Sequence, residues 1–296
     1  MAEQSTKIQA ELILRSIFPV MKVLVADDPA VAKAFAGVDA VVQVGAREAG
    51  EDYFGAYLVF DSSQEPEACL QVRQGEYLTD AKNNPEGNKP TINFEFKTIA
   101  DMCGMFTGKM NGAIIMAVVK TVFRGHAGLF LKVVTKLFLG LTKMLPTFQP
   151  KTDADKKMKL KLSLYMVSSA LSVYNKLADK YDDEQIKGYH EWMMQPKRVY
   201  QFIVGDPENP DIACYMMCQA GQSKCGRGIY ERRRPFVTFQ FSDVTGGLAV
   251  VGGKDEQGNP VPFVEGAARG YITMIGSPEY SAVLNDYMAR IQAILL

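Results

Sequence analysis

The chain has 296 residues, 47% of them apolar and 22% charged, and its 33 basic side chains balance 33 acidic ones. That composition describes a globular chain and excludes a disordered, fibrous or nucleic-acid-binding one; the length is that of two domains of ordinary size. The opening MAEQSTKIQAELILRS sets Glu3 and Glu11 inside what would be the greasy run of a secretion signal, and no run of roughly 18 uncharged apolar residues follows, so the expected location is cytoplasmic.

From Thr6 to about Val25 the apolar residues Ile8, Leu12, Ile13, Ile17 and Met21 recur at helical spacing. Pro19 is expected to kink or end this helix, and Asp28 before Pro29 reads as the cap of a second one. After Gly45 and Gly50 the period changes to two, predicting antiparallel strands at 53–61, 68–79 and 91–97. In the last of these Ile92, Phe94 and Phe96 share one face, and Asn93, Glu95 and Lys97 the other. A short helix is expected from Thr98 to Phe106, stopped by Gly108; from Ala113 the pattern fits either a helix or a helix leading into a strand. Residues 127–145 read as an apolar helix with Lys132, Lys136 and Lys143 on one polar stripe. The second half begins with a long helix, continues with strands at 198–206, 213–221 and 236–242, and ends in a helix from Pro278 to Leu296.

The stretch 90–125 returns as 235–270. Phe94 and Phe96 match Phe239 and Phe241, Gly108 and Lys109 match Gly253 and Lys254, and Arg124 and Gly125 match Arg269 and Gly270, all at an offset of 145 (239 − 94). The same offset pairs Val59 with Val204, Asp61 with Asp206, Ala68 with Ala213, Cys69 with Cys214, Gln74 with Gln219 and Pro90 with Pro235. An internal repeat of this period predicts a tandem duplication, with domains at 1–150 and 151–296 whose segments 52–125 and 197–270 superpose strand for strand.

Residues that carry chemistry are scarce. His126 and His190 are the only histidines and stand in non-equivalent places, and the five cysteines form no CxxC pair, so no metal, catalytic group or cofactor is expected and the chain reads as a non-enzyme. The glycines around Lys254 fail as a phosphate loop, because Gly253 stands where the lysine belongs and Asp255 where Ser or Thr would bind magnesium. Arg232, Arg233 and Arg234 read as a solvated turn. The informative feature is a local field. Between Asp101 and Asp153 there is no acidic residue, while Lys109, Lys120, Arg124, Lys132, Lys136, Lys143 and Lys151 are basic. An apolar element carrying such a stripe suits an anionic membrane surface or the cover of an apolar cavity, and a core helix with solvated lysines fits it equally.

At FTGK and VGGK, at FRG and ARG, at the alternating strands before them and at the C-terminal apolar helix, the chain resembles the sterol carrier protein type 2 family, over roughly 53–145 and 198–296. The resemblance implies an α+β fold: two tandem sterol-carrier-like domains, each a mostly antiparallel five-stranded sheet with helices on one face, enclosing a tunnel for a fatty acyl chain, an acyl thioester or a sterol. Side chains on the faces that would line it are Phe94, Phe96, Met102, Met105, Phe106, Phe123, Phe130, Val133, Leu137 and Leu141, with Phe239 and Phe241 in the second copy. The second copy departs from the pattern, with DEQGNP in place of an apolar stretch and Glu265 in place of Lys120, so the first domain is expected to hold the better pocket. The partners expected are an apolar lipid or acyl ligand and an anionic membrane surface touched by Lys132, Lys136 and Lys143. A second reading has filled cavities and an internal pseudo-dimer that serves as a protein-interaction scaffold.

Overall fold

Two mixed sheets, of four and five strands, organise the α+β chain in the computed structural model, which describes residues 4–65, 68–109, 111–122, 126–144, 148–181, 184, 198–218, 223–277, 284, 288–291 and 293–294. They belong to two compact units, residues 1–141 with 294–296 and residues 142–293.

In the first unit, α1 (Gln4–Leu12) and α2 (Phe18–Asp27) are joined by a π-helical turn at Ile13–Ile17. The helical run therefore does not end at Pro19. The proline sits in the first turn of α2, where an absent N–H leaves no bond unmade, and the wide turn before it closes through the Phe18 N–H on the Ile13 carbonyl. Asp28 caps α3 (Pro29–Phe35), its Oδ1 accepting from the N–H groups of Ala30 and Val31 at 3.0 and 3.2 Å.

The strands β1 (Ala40–Ala46), β2 (Phe54–Phe60), β3 (Leu70–Gln74) and β4 (Ile92–Phe96) lie in the order β3-β2-β1-β4. The pairs β3–β2 and β2–β1 are antiparallel and β1–β4 is parallel. Among the described residues this sheet has four strands, against the five expected, with two antiparallel pairings and one parallel. Strand β1 went unforeseen, although Val41, Val42 and Val44 form a β-branched run.

Thr98 caps α4 (Ile99–Thr107) through its hydroxyl, and Gly108 ends it in the left-handed region at φ 76°. Residues Gly112–Val122 are helical throughout (α5), which removes the strand alternative. The 127–145 segment is α6 (Ala127–Lys132), a π-helical stretch Val133–Phe138 and α7 (Leu139–Leu141). Its buried residues Val133, Leu137 and Leu141 recur every fourth position, a spacing that the wide π turn keeps on one side.

One face of this sheet carries Val42, Val44, Leu58, Ile92, Phe94 and Phe96, all buried, and meets the helices. The other carries Gln43, Tyr57, Asn93 and Glu95. Over it folds the segment after β3, held by Tyr77 against the Tyr57 ring at 5.2 Å, by the Tyr57 hydroxyl donating to Asp80, and by Asn84 Nδ2 donating to the carbonyls of Tyr77 and Asn88.

The second unit has a 29-residue helix α8 (Asp153–Tyr181), then β5 (Arg198–Val204), β6 (Ile212–Cys218), β7 (Lys224–Arg227), β8 (Val237–Phe241), α9 (Val244–Gly252), α10 (Phe263–Ala268) and β9 (Ile272–Gly276). The order is β7-β6-β5-β8-β9, with β5–β8 parallel and the other pairs antiparallel. Gly252 and Gly253 are the C-terminal end of α9, with Gly253 at φ 69°, which is the structural role of the glycines beside Lys254. Of the expected C-terminal helix, Leu284, 288–291 and 293–294 are helical; its other residues lie outside the described ones.

Phe94 and Phe239 hold the same place in the two sheets, opposite Val44 and Phe202. Upstream, however, the offset of 145 fails. Val59 lies in β2, next to the edge strand, and Val204 in β5, beside the parallel partner; Cys69 precedes β3, whereas Cys214 is in the middle of β6. Strands of equal place are β1 with β5 and β2 with β6, both at 158 (201 − 43 and 215 − 57). The connections β2–β3 and β3–β4 are longer in the first unit, and this difference shifts the offset.

Candidate ligand site at the β4 edge

In the second unit β8 is paired on its outer side by β9, with Thr238 opposite Ile275 and Gln240 opposite Thr273. In the first unit β4 ends the sheet among the described residues. The local sequence explains the difference. Where the second unit has Ile-Thr-Met-Ile-Gly, suited to a strand, the first has Ala-Gly-Leu-Phe-Leu-Lys, which begins α6 after His126 at φ 97°. The carbonyl of Asn93, counterpart of Thr238, instead accepts from the buried Thr121 Oγ1 at 3.0 Å.

Two cavities flank that contact. The larger, about 510 Å³, has Lys89, Pro90, Thr91 and Ile92 along the strand and its approach, Gln43, Glu76 and Leu78 on the loop-covered face, and Thr121, His126 and Phe130 opposite. The smaller, about 220 Å³, lies among Arg47, Glu95, Phe96, Lys97, Lys120 and Thr121. The larger falls within the roughly 300–1,000 Å³ of small-ligand pockets.

Its polar floor is one hydrogen-bonded chain. The Tyr77 N–H donates to Gln43 Oε1 at 2.7 Å, Gln43 Nε2 donates to Asn93 Oδ1 at 3.2 Å, and Asn93 Nδ2 donates to Glu95 Oε2 at 3.1 Å. Glu76 is held by Arg47 at 2.6 Å, a contact that raises the guanidinium pKa, and Arg47 lies 5.3 Å from the Tyr53 ring centroid. Burial raises the Tyr53 pKa and keeps its hydroxyl neutral; the ring covers Gly45 and Gly55, where any Cβ would overlap it. Lys89 and His126 provide positive or protonatable groups at the rim, and Ile92, Leu78 and Phe130 the apolar wall. A lining of this kind combines an apolar wall with one polar end.

The side chains expected to line a tunnel are brought together in the first unit, as a packed cluster. Phe94 meets Phe130 and Phe138, each at 5.5 Å, Phe138 meets Phe106 at 5.6 Å, and Phe106 meets Phe18 at 5.3 Å. Met102, Val133 and Leu137 have no exposed surface, Leu141 is buried, and Met105 and Phe106 are half-buried. Phe130 is the member of this cluster that reaches the larger cavity, and Phe96 borders the smaller. Phe123 lies outside the described residues. Phe239 and Phe241 are in the core of the second unit, Phe239 stacked on Phe202 at 5.3 Å and edge-on to Phe263 at 6.0 Å. Of the lysines, Lys132 and Lys136 are exposed, while Lys143 is half-buried and pairs with Asp155 at 3.6 Å within the second unit. Sequence reasoning missed Gln43, Lys89 and Thr121; a glutamine centred in the apolar run AVVQVGA was the available signal for the first.

Among the described residues no group of three or more His, Cys, Asp or Glu could hold a metal ion, and no single helix is long and apolar enough to cross a membrane. Comparisons with family models, with curated proteins and with solved structures find no match to this chain.

Proposed function

We propose that the chain is a tandem pair of sterol-carrier-like units whose first unit binds an apolar acyl, acyl-thioester or sterol-like ligand without chemistry and exchanges it with anionic membranes in the cytoplasm. Common ancestry of the units is supported by shared strand order, by the identical registers of β1–β4 and β5–β8, and by the buried glutamines at 43 and 201, each accepting from a tyrosine N–H. The ligand reading rests on Phe130. This ring stacks on Phe94 in the aromatic cluster and also forms a wall of the 510 Å³ cavity, so an apolar ligand entering at the β4 edge meets the cluster directly. The equivalent edge of the second unit is occupied by β9, which supports the choice of the first unit as the one that binds.

Titration with a fluorescent fatty acid tests this. The parent protein takes it up, Phe130→Glu weakens uptake at least about tenfold by putting a charge in an apolar wall, and Phe263→Ala in the second unit leaves uptake unchanged. No uptake by the parent protein, or equal losses in both variants, refutes the reading.

A further inference from the structure

Helix α5 is apolar on the side that the fold does not use. Ile114 and Ala117 are buried, as is Thr121, and they fix the helix against β4 and α4; Gly104 of α4 admits Ile114, since a Cβ there would overlap its Cδ1. Asn111 caps the helix, its Oδ1 accepting from the Ile114 N–H at 2.9 Å. The outward residues Gly112, Ala113, Ile115, Met116 and Val119 are exposed, Ile115 by 51% and Met116 by 54%. No polar side chain interrupts the helix before Lys120. A helix apolar all round is normally buried, and a contiguous exposed patch of this kind marks a surface that another phase or molecule covers.

Charge identifies that phase. Lys109 and Lys120 stand at the two ends of α5, and with Lys132 and Lys136 of the next helical segment they are exposed and have no carboxylate partner among the described residues. The nearby acids are engaged: Asp101 accepts from Asn111 and Thr98, Glu95 from Asn93, and Glu76 from Arg47. Leu131 and Leu139 are exposed beside those last two lysines in sequence, by 60% and 56%. Apolar side chains flanked by uncompensated lysines are the composition of an interfacial helix on anionic lipid. Helices α4 and α5 are together as apolar as a membrane span but are bent by 88° at their junction. Because α4 carries the buried Ile99, Met102 and Cys103, α5 is the part left to lie in the interface.

We propose that α5 is an interfacial anchor, its Ile115, Met116 and Val119 seated among the headgroups of an anionic bilayer while Lys109 and Lys120 meet the lipid charge. This deepens the membrane part of the proposed function and does not need a ligand in the cavity.

Co-sedimentation with phosphatidylcholine vesicles, with and without phosphatidylserine, tests it. The parent protein is expected to bind the anionic vesicles at low salt and to be released by added salt, because exposed charges are screened within about 10 Å at 0.1 M. Ile115→Glu with Met116→Glu should lower partitioning about tenfold or more, with an unchanged melting temperature and unchanged fatty-acid uptake. Failure of the anchor and failure of the ligand reading are thus separate results. If the double variant melts early, Met116→Trp alone decides, by an emission shift to the blue with anionic vesicles and none with neutral ones. No binding at low salt, equal binding to neutral vesicles, or retention of binding by a folded double variant overturns the proposal. So does a dimer of the parent protein that the same substitutions dissolve, since the face would then belong to a second copy.

Discussion

Gln43 and Gln201 make the same bond in two sheets: each, buried in the strand that pairs in parallel with its neighbour, accepts through Oε1 from a tyrosine N–H, Tyr77 at 2.7 Å and Tyr230 at 2.8 Å. Each tyrosine also packs on a β-strand tyrosine, Tyr77 on Tyr57 at 5.2 Å and Tyr230 on Tyr215 at 5.1 Å. The glutamine therefore ties the loop following the edge strand to the sheet. Gln201 does more, since its Nε2 donates to the carbonyls of Cys214 at 2.9 Å and Gly228 at 3.2 Å.

Replacing either glutamine by leucine keeps most of the volume and leaves the tyrosine N–H without its acceptor. Such a loss costs about 1–3 kcal/mol, and Gln201→Leu is expected to cost more than Gln43→Leu, because it takes a donor from two backbone carbonyls where Gln43→Leu takes one only from the Asn93 side-chain oxygen. Urea unfolding midpoints of the two variants measure this; equal midpoints would show that the amide donors at position 201 contribute no more than the Gln43–Asn93 bond.

The pair Tyr57–Asp80 should give the first unit a stability that depends on pH at both ends. The hydroxyl of Tyr57 donates to Asp80 Oδ2 at 2.5 Å. That bond, with help from Asn83, lowers the Asp80 pKa to about 2, and burial, reinforced by Asp80, raises that of Tyr57 to about 12. A carboxylate with a lowered folded value contributes above its unfolded value of about 4 and ceases to as pH falls towards 2. A tyrosine with a raised folded value contributes below about 10 and ceases to as pH rises towards 12. Asp80→Asn should flatten the acid limb of the urea midpoint against pH and bring the Tyr57 phenolate absorbance in at lower pH. An unchanged acid limb would remove Asp80 from the account.

The parts of the fold that could be read from sequence are those in which a short stretch decides its own shape. Thr98 and Asp243 cap their helices with a side-chain oxygen, Gly108 and Gly253 stop them in the left-handed region, and the strand before each alternates cleanly, so 90–109 and 235–254 match without a gap. Strand pairing is decided elsewhere. The true partners run at 158 for β1 and β2, at 153 for Tyr77 and Tyr230 (230 − 77) and at 145 only from β4 onward, so the agreement of Val59 with Val204 and of Cys69 with Cys214 is coincidence across loops of different length. The aromatic residues of the candidate site were legible as a cluster. The cavity beside them was not, because it lies where β4 has no strand neighbour among the described residues, the chain there forming a helix from Ala127.

The thiols should separate by reactivity. None of the five cysteines forms a disulfide, and burial raises the pKa of Cys103, Cys214 and Cys218 to about 12. Burial also raises that of the half-buried Cys69, whereas Cys225, on the edge strand β7, is exposed. Near pH 8 an aromatic disulfide reagent is expected to label Cys225 quickly and Cys69 more slowly, and the remaining three only after unfolding, because the thiolate is the reacting form. Cys225→Ser should abolish the fast phase; a fast phase that survives would place a buried thiol in contact with solvent.

Thr121 tests whether the free edge of β4 is held or merely exposed. Its Oγ1 lies 3.0 Å from the carbonyl of Asn93 and 2.9 Å from that of Ala117, so its one proton is shared between strand and helix. In the second unit the position opposite Thr238 is filled by a strand. Valine at position 121 has nearly the shape of threonine and keeps the wall between the two cavities, yet it leaves the Asn93 carbonyl without this donor. The expected cost is about 1–3 kcal/mol. Serine retains the hydroxyl and loses a methyl group, so Thr121→Ser should unfold at a urea concentration nearer that of the parent protein than Thr121→Val does. The reverse order would mean that the methyl contact, and not the hydrogen bond to β4, secures α5 at the sheet edge.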